Sequence, residues 1–239
     1  MIYLLSVKSK KEDYMMKTFR KLIALVLVVA MVSSVFTFSA SAKFSLRPAA
    51  DEPVVARMYI AHLEKPSATE GHTWIYIENL TNESIYVGAY YRVPKNQGVS
   101  IGTYGESVDA GPGLYYNVEA WRYQNKDIYG PITYSIHKDL TEKQLEKVNK
   151  TIRSINHWSK LRNCAHAAMK IWNSVPGTHM VYIFLPLFHL MQIRSKKDCV
   201  NGYLKMKASN LKNNTWKQVG RGENATIEYT DPKPVEYQD

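Results

Sequence analysis

The sequence His72-Thr73-Trp74-Ile75-Tyr76-Ile77-Glu78 is the clearest structural signal in this 239-residue chain. Positions 73 to 77 are β-branched or aromatic, and every second side chain would project from the same face. This pattern predicts a β-strand. Asn79–Glu83 is rich in turn-forming residues and Ser84–Val93 is again strand-like, so we expect the two strands to pair as a hairpin.

On either side of this segment the same criteria predict further strands. Gly98–Gly113 is the exception, because it is rich in glycine and has little regular pattern, so we expect a loop there. The remaining strand candidates are Val54–Leu63, Leu114–Tyr123, Pro131–His137, Thr215–Val219 and Ala225–Tyr229.

Helical periodicity follows the first group of strands. Thr141-Glu142-Lys143-Gln144 has the form of a capping box, and apolar residues at helical spacing then predict an amphipathic helix over Glu142–Asn156. A second helix should begin near Asn163 and stop at Pro176-Gly177. Val181–Ile193 is an apolar run of 13 residues, too short to span a bilayer, so we expect it to form core or a pocket wall.

Strands followed by helices and then by weaker strands favour one α+β domain over residues 54–230, with helices packed on an antiparallel sheet. A polar tail, residues 231–239, would follow this domain. Residues 43–53 contain two prolines, small residues and charges, and are therefore expected to be a linker that precedes it.

Residues 1–42 are typical of an upstream start followed by a cleaved secretory signal peptide. Basic residues between positions 17 and 21 precede the apolar run Leu22–Val32, and Ala40-Ser41-Ala42 offers the small residues that a signal peptidase requires. An uncleaved anchor is the alternative, and it is disfavoured because a membrane span needs about 20 apolar residues. We therefore expect a secreted or cell-wall-associated protein whose only membrane segment is this peptide.

Composition narrows the functional classes. The chain is 45% hydrophobic and 22% charged and has two cysteines, which excludes a disordered chain and a disulfide-dense scaffold. Without residues 1–42 it has 25 Lys+Arg against 19 Asp+Glu, an excess too mild and dispersed to indicate nucleic-acid binding. It is compatible with attraction to anionic cell-wall or lipid surfaces. We expect no metal and no cofactor, because paired ligand spacing and phosphate-binding glycine motifs are absent from the sequence.

Cys164 is the candidate nucleophile. It follows Asn163 at the predicted start of a helix, where unpaired N–H groups and partial positive charge favour a thiolate and stabilise an oxyanion. The alternative in an exported protein is a disulfide with Cys199. A thiol nucleophile also needs a general base. His166 points away from Cys164 on the same helix, whereas His72 opens the strongest predicted strand, where its side chain would be held rigidly.

The order of these motifs resembles a known group of enzymes. His72-Thr73-Trp74-Ile75-Tyr76 followed by Asn163-Cys164-Ala165-His166 is similar to the circularly permuted papain-like thiol enzymes, which include permuted NlpC-type peptidases and lecithin:retinol acyltransferase-like proteins. The resemblance implies a permuted papain-like fold with Cys164 as nucleophile and His72 as general base and acid. It also implies a third polar residue on the strand after the histidine, for which Tyr90 is the candidate that the hairpin register brings nearest to His72.

The resemblance covers residues 54–175 and implies a cysteine hydrolase of the peptidase or amidase class, which attacks an amide or ester bond through an acyl-enzyme. Export makes peptide, amide or acyl material, including that of the cell wall, the expected substrate. Two alternatives stay open. The same residues would serve an acyltransferase acting on lipid or amine acceptors, with Val181–Ile193 lining an acyl pocket. The aromatic residues of the β-rich half would also suit a non-catalytic module that binds carbohydrate at the cell surface.

Overall fold

The computed structural model describes residues 52–65, 71–89, 91–105, 110–126, 133–202, 204–207 and 215–230. The predicted signal peptide, most of the predicted linker and the polar tail therefore lie outside the described residues. The described residues all belong to one compact unit, residues 49–239. None of the helices that they form is long and apolar enough to cross a membrane.

The described residues form ten strands, which are, in chain order, β1 (Val54–Leu63), β2 (His72–Asn79), β3 (Ile85–Val87), β4 (Tyr91–Val93), β5 (Gly98–Tyr104), β6 (Gly113–Tyr116), β7 (Thr133–Thr141), β8 (Val200–Asn201), β9 (Trp216–Val219) and β10 (Thr226–Tyr229). Eight of them form one antiparallel sheet in the order β10-β9-β6-β5-β2-β1-β7-β8, and β3 pairs with β4 in a separate small sheet.

The two central strands confirm the strongest strand predictions. β1 and β2 pair along their length, and the last pair joins Leu63 to His72. Ile75 belongs to the main core on one face of the sheet, whereas Trp74 packs into a smaller cluster on the other, as a period of two requires. His72 therefore begins β2 at an end of the sheet, where a residue of another element can approach it.

The predicted hairpin between β2 and residues 84–93 is wrong. The sheet neighbours of β2 are β1 and β5, and β3 and β4 pair with each other instead. The expected second strand is interrupted at Gly88, which has a φ of 60° and therefore turns the chain back on itself.

The loop predicted from Gly98 and the end predicted for the strand that starts at Leu114 are also wrong. Gly98–Tyr104 is a central strand rather than a loop, because its glycines face bulky groups: a β-carbon at Gly98 would collide with the ring of Tyr76. The strand expected over Leu114–Tyr123 ends at Tyr116, where Asn117 adopts a positive φ of 64° and a helix begins.

Four helices are described: α1 (Val118–Lys126), α2 (Glu142–Arg153), α3 (Cys164–Trp172) and α4 (Pro186–Arg194). The predicted capping box of α2 is confirmed by the Thr141 N–H, which donates to Oε1 of Gln144 at 3.0 Å. The start of α3 at Cys164 is confirmed as well, with Asn163 as its N-cap. α2 ends three residues before the predicted end at Asn156.

The helices pack on the antiparallel sheet, which confirms the predicted α+β class. Residues of α2 and α3 fill the main core with Ile75 and its neighbours on one face, whereas α1 and residues 204–206 cover part of the other. The apolar run Val181–Ile193 is only partly core. Leu190 and Ile193 are buried, but Phe184 and Met191 are exposed.

Candidate functional site

The structure brings Cys164 and His72 together, although 91 residues separate them in the sequence. The thiol of Cys164 lies close enough to the side chain of His72 for the charge of the imidazole and a side-chain hydrogen bond with it to lower the pKa of the thiol. β2 fixes the histidine because it is the last residue paired to β1, and α3 fixes the cysteine because it is the first residue of that helix. An imidazole within hydrogen-bonding reach of a thiol is the geometry of a nucleophile with its base.

The surroundings of Cys164 favour its ionised form. Burial of the thiol opposes ionisation, but the positive charge of His72, its hydrogen bond, and backbone hydrogen bonds at Thr73 and Ala165 together lower the pKa of Cys164 below the ordinary value. Cys164 remains partly exposed and carries no disulfide. A thiolate with solvent access at a helix N-terminus is the reactive form of cysteine.

The other side of the imidazole is bound by Glu119. Nε2 of His72 lies 2.8 Å from Oε1 of Glu119, whose side chain is fully buried while that of His72 is 14% exposed. The three side chains therefore form a series in which a buried carboxylate fixes the imidazole and the imidazole faces the thiol, an arrangement that suits a nucleophile with an oriented base.

Glu119 is held in place by two further hydrogen bonds. The hydroxyl of Tyr104 donates to Oε1 and that of Ser100 donates to Oε2, each at 2.8 Å. Burial raises the pKa of Glu119, but the hydrogen bonds and the charge of His72 outweigh this effect, so the pKa lies below its usual range. Glu119 is therefore an anion inside the protein, and an anion at this position stabilises the imidazolium form of His72.

Aromatic rings fix the plane of the imidazole. The ring of His72 stacks on Tyr104 with centroids 4.8 Å apart and on Trp74 with centroids 5.7 Å apart. The guanidinium of Arg122 lies over the Tyr104 ring at 5.1 Å. These contacts leave the imidazole little rotational freedom, which keeps both of its nitrogens directed at their partners.

Asn163 organises the helix end that carries the nucleophile. Its side-chain oxygen accepts from the N–H groups of Ala165 and His166 at 3.1 and 3.3 Å, and its Nδ2 donates to the carbonyl of Phe184 at 3.2 Å. The N–H of Cys164 itself is not bound by this cap. This N–H can therefore donate a hydrogen bond to the oxyanion that forms on a carbonyl oxygen when the sulfur attacks the carbonyl carbon.

The other residues considered in the sequence do not contribute to the contact between Cys164 and His72 within the part of the chain that the structure describes. Tyr90, the predicted third residue that would orient His72, lies outside the described residues. In the structure Glu119 contacts Nε2 of His72. Cys199 is a second free thiol, so the predicted alternative of a Cys164–Cys199 disulfide is wrong. His166 packs edge-on against Tyr182, with centroids 4.9 Å apart.

Glu119 is the residue that the sequence analysis missed. Val118 and Glu119 fall within the strand predicted over Leu114–Tyr123, whereas they begin helix α1. A turn-forming Asn117 followed by an acidic residue at a helix start is a signal that could have revealed the helix, although not its contact with His72. The part of the chain that the structure describes has no group of three or more His, Cys, Asp or Glu residues suited to holding a metal ion.

No protein-family model matches the chain, and no curated protein or solved structure matches it either.

Proposed function

We propose that this chain is a cysteine hydrolase of permuted papain-like architecture that cleaves amide or ester bonds. The observation that carries the proposal is the hydrogen-bonded series from the thiol of Cys164 through His72 to the buried carboxylate of Glu119. The order along the chain supports the architecture, because the strand with the base precedes the helix with the nucleophile. We also propose that residues 1–42 direct the enzyme out of the cell, where peptide and cell-wall amides are available.

Acylation begins with the thiolate of Cys164 and the imidazolium of His72. The sulfur attacks the carbonyl carbon of the substrate and forms a C–S bond, and the carbonyl oxygen becomes an oxyanion at the N-terminus of α3, where the Cys164 N–H donates to it. As the tetrahedral intermediate collapses, the C–N or C–O bond breaks and His72 gives its proton to the departing amine or alcohol. The acyl group is left on the sulfur as a thioester.

In deacylation His72 acts first as a base, whereas in acylation it acts as an acid. The now neutral His72 takes a proton from water while the water oxygen attacks the thioester carbon. Collapse of the second intermediate breaks the C–S bond, releases the carboxylic acid and restores the thiolate and imidazolium pair. Glu119 takes no proton in either half. It holds the ring so that the imidazole faces the sulfur, and it stabilises the charge that His72 carries before it protonates the leaving group and after it takes the proton from water.

The proposal is tested with a general thiol probe and a panel of model substrates. The full chain should be labelled by an iodoacetamide probe at Cys164 and should hydrolyse acyl-aminocoumarin amides or p-nitrophenyl esters. Cys164→Ala should abolish turnover, whereas the matched variant Cys199→Ala should keep it. Turnover that persists in Cys164→Ala, or labelling confined to Cys199, would contradict the assignment.

A further inference from the structure

Four large apolar side chains in the segments before and after α3, the helix that begins with Cys164, are exposed to solvent. Leu161, Phe184, Leu187 and Met191 are 71%, 53%, 42% and 54% exposed, and we refer to them together as the apolar face. Single exposed apolar residues are ordinary, but a group of this size on a soluble surface marks a place where something binds.

Hydrogen bonds join the two loops of the apolar face that lie on either side of α3. The hydroxyl of Tyr182 donates to the carbonyl of Leu161 at 2.6 Å, and Nδ2 of Asn163 donates to the carbonyl of Phe184 at 3.2 Å. The two loops that carry Leu161 and Phe184 are therefore adjacent. Leu187 and Met191 continue the surface along α4, where residues four apart lie on the same side of a helix.

The charge around this surface is mainly positive. Residues 147–197 contain nine Lys or Arg residues and no Asp or Glu. Lys160 and Arg162 flank Leu161 and are exposed, and Lys196 and Lys197 are exposed just beyond the end of α4. Two carboxylates lie in this region. Glu64, the residue after β1, forms an ion pair with Arg194 at 3.7 Å, and Asp198 is exposed next to Lys197.

We propose that the apolar face and its flanking cations dock on the surface of an anionic phospholipid bilayer. Apolar side chains ringed by Lys and Arg suit the boundary between headgroups and acyl chains, because the apolar groups insert while the flexible cations meet the phosphates. The core of a protein–protein interface, in contrast, is depleted in lysine. Docking in this way places Cys164, three residues from Leu161, close to the headgroups and selects substrates carried by or near a membrane.

This binding goes beyond the proposed function, since it does not require the thiol, and it is tested without it. In the full chain with Cys164→Ser and Cys199→Ser, a single cysteine is introduced by Leu187→Cys and labelled with the environment-sensitive dye NBD. The matched control carries the label through Tyr86→Cys, because Tyr86 is similarly exposed, at 55%, but belongs to the separate sheet of β3 and β4. Circular dichroism confirms that both labelled proteins are folded.

Vesicles of phosphatidylglycerol and phosphatidylcholine should shift the emission of the label at position 187 to the blue and leave that at position 86 unchanged. Vesicles of phosphatidylcholine alone should give a much smaller shift at 187. Lys160→Gln and Arg162→Gln should each weaken binding to the anionic vesicles about fivefold, the factor that corresponds to about 1 kcal/mol per cation near such a surface.

Three results would overturn the proposal. Equal shifts at positions 86 and 187 would mean that another part of the chain, such as the apolar segment near the N-terminus, brings the protein to the vesicles. Equal shifts with anionic and zwitterionic vesicles would remove the role of the cations. A shift at position 187 that grows with protein concentration in the absence of vesicles would show that a second copy of the chain covers the apolar face instead.

Discussion

Gly102 lies directly against the carboxylate of Glu119. A β-carbon at this position would overlap Oε1 of Glu119 and would lie 3.1 Å from Nε2 of His72. Gly102 belongs to β5, the strand next to β2, so the missing side chain leaves a space in the sheet surface that the carboxylate fills. The hydrogen bond between Glu119 and His72 therefore depends on a residue that makes no polar contact with either side chain.

We expect Gly102→Ala to reduce kcat/KM by about 10²-fold or more while the protein stays folded, because the methyl group displaces the carboxylate that orients the base. Steady-state kinetics on the model substrates and circular dichroism measure the two properties. Gly177→Ala is the control. No atom lies within 4 Å of a β-carbon there, and its φ is 81°, so this change should cost some stability and leave kcat/KM unchanged. A Gly102→Ala protein as active as the native one would contradict this role.

The sequence revealed the parts of the site that depend on local structure. The position of Cys164 at a helix start follows from Asn163 as a cap, and that of His72 follows from an alternating strand, and both signals lie within a few residues of the side chain concerned. The contact of Glu119 with His72 has no such signal. It arises because β5 pairs with β2 and places α1 over the sheet, and strand pairing between distant segments is set by packing rather than by local pattern.

Packing between distant segments also explains why the loop predicted from Gly98 and the hairpin predicted next to β2 are wrong. Gly98–Tyr104 has the composition of a loop, yet it is buried between two strands because its glycines make room for Tyr76 and Glu119. Glycine normally weakens a strand, and only the tertiary structure shows which bulky group occupies the space that it leaves. The hairpin predicted next to β2 failed because Gly88 turns the chain before a long strand can form.

Glu119→Gln should lower kcat/KM by about 10²- to 10⁴-fold with little change in KM, because the amide keeps the shape of the side chain but no longer stabilises the imidazolium. Steady-state kinetics with the ester and amide substrates measure the effect. Tyr104→Phe is the graded comparison, since it removes one of the three hydrogen bonds to Glu119 and should cause a smaller loss of activity. A loss confined to KM would contradict an orienting role for Glu119.

Glu119 should also make stability depend on pH. Its pKa is lower in the folded protein than in the unfolded chain, so its ionised form contributes stability that is complete above the unfolded value, about 4.3, and is lost as the pH falls through the folded value. Urea unfolding as a function of pH should therefore show a loss of stability below about pH 4. Glu119→Gln should be less stable at neutral pH and should show a shallower acid loss. An identical acid profile would contradict the lowered pKa.

The two thiols should differ in the pH at which they react. The pKa of Cys164 is lowered by its contact with His72 despite burial, whereas burial and the charge of Asp198 raise the pKa of Cys199. Because the reactive thiolate is lost as the pH falls through the pKa, iodoacetamide should modify Cys164 well before Cys199 at about pH 7, below the ordinary thiol pKa of about 8.5. Mass spectrometry of the two cysteine peptides measures both rates in one sample. His72→Ala should move the profile of Cys164 to higher pH, and equal rates for the two thiols in the native protein would contradict the assignment.

Asn163 offers a way to separate the stability of α3 from the reactivity of its first residue. Asn163→Ala removes the cap on Ala165 and His166, so it should cost about 1 kcal/mol and lower Tm by about 2–4 °C. Asn163→Asp keeps an acceptor for the same two N–H groups and should leave Tm nearly unchanged. Its negative charge, one residue from Cys164, opposes formation of the thiolate and should move alkylation of Cys164 to higher pH. Calorimetry and the iodoacetamide profile together measure the two effects, and an Asn163→Asp protein with the native alkylation profile would show that the charge at the helix end does not control the thiol.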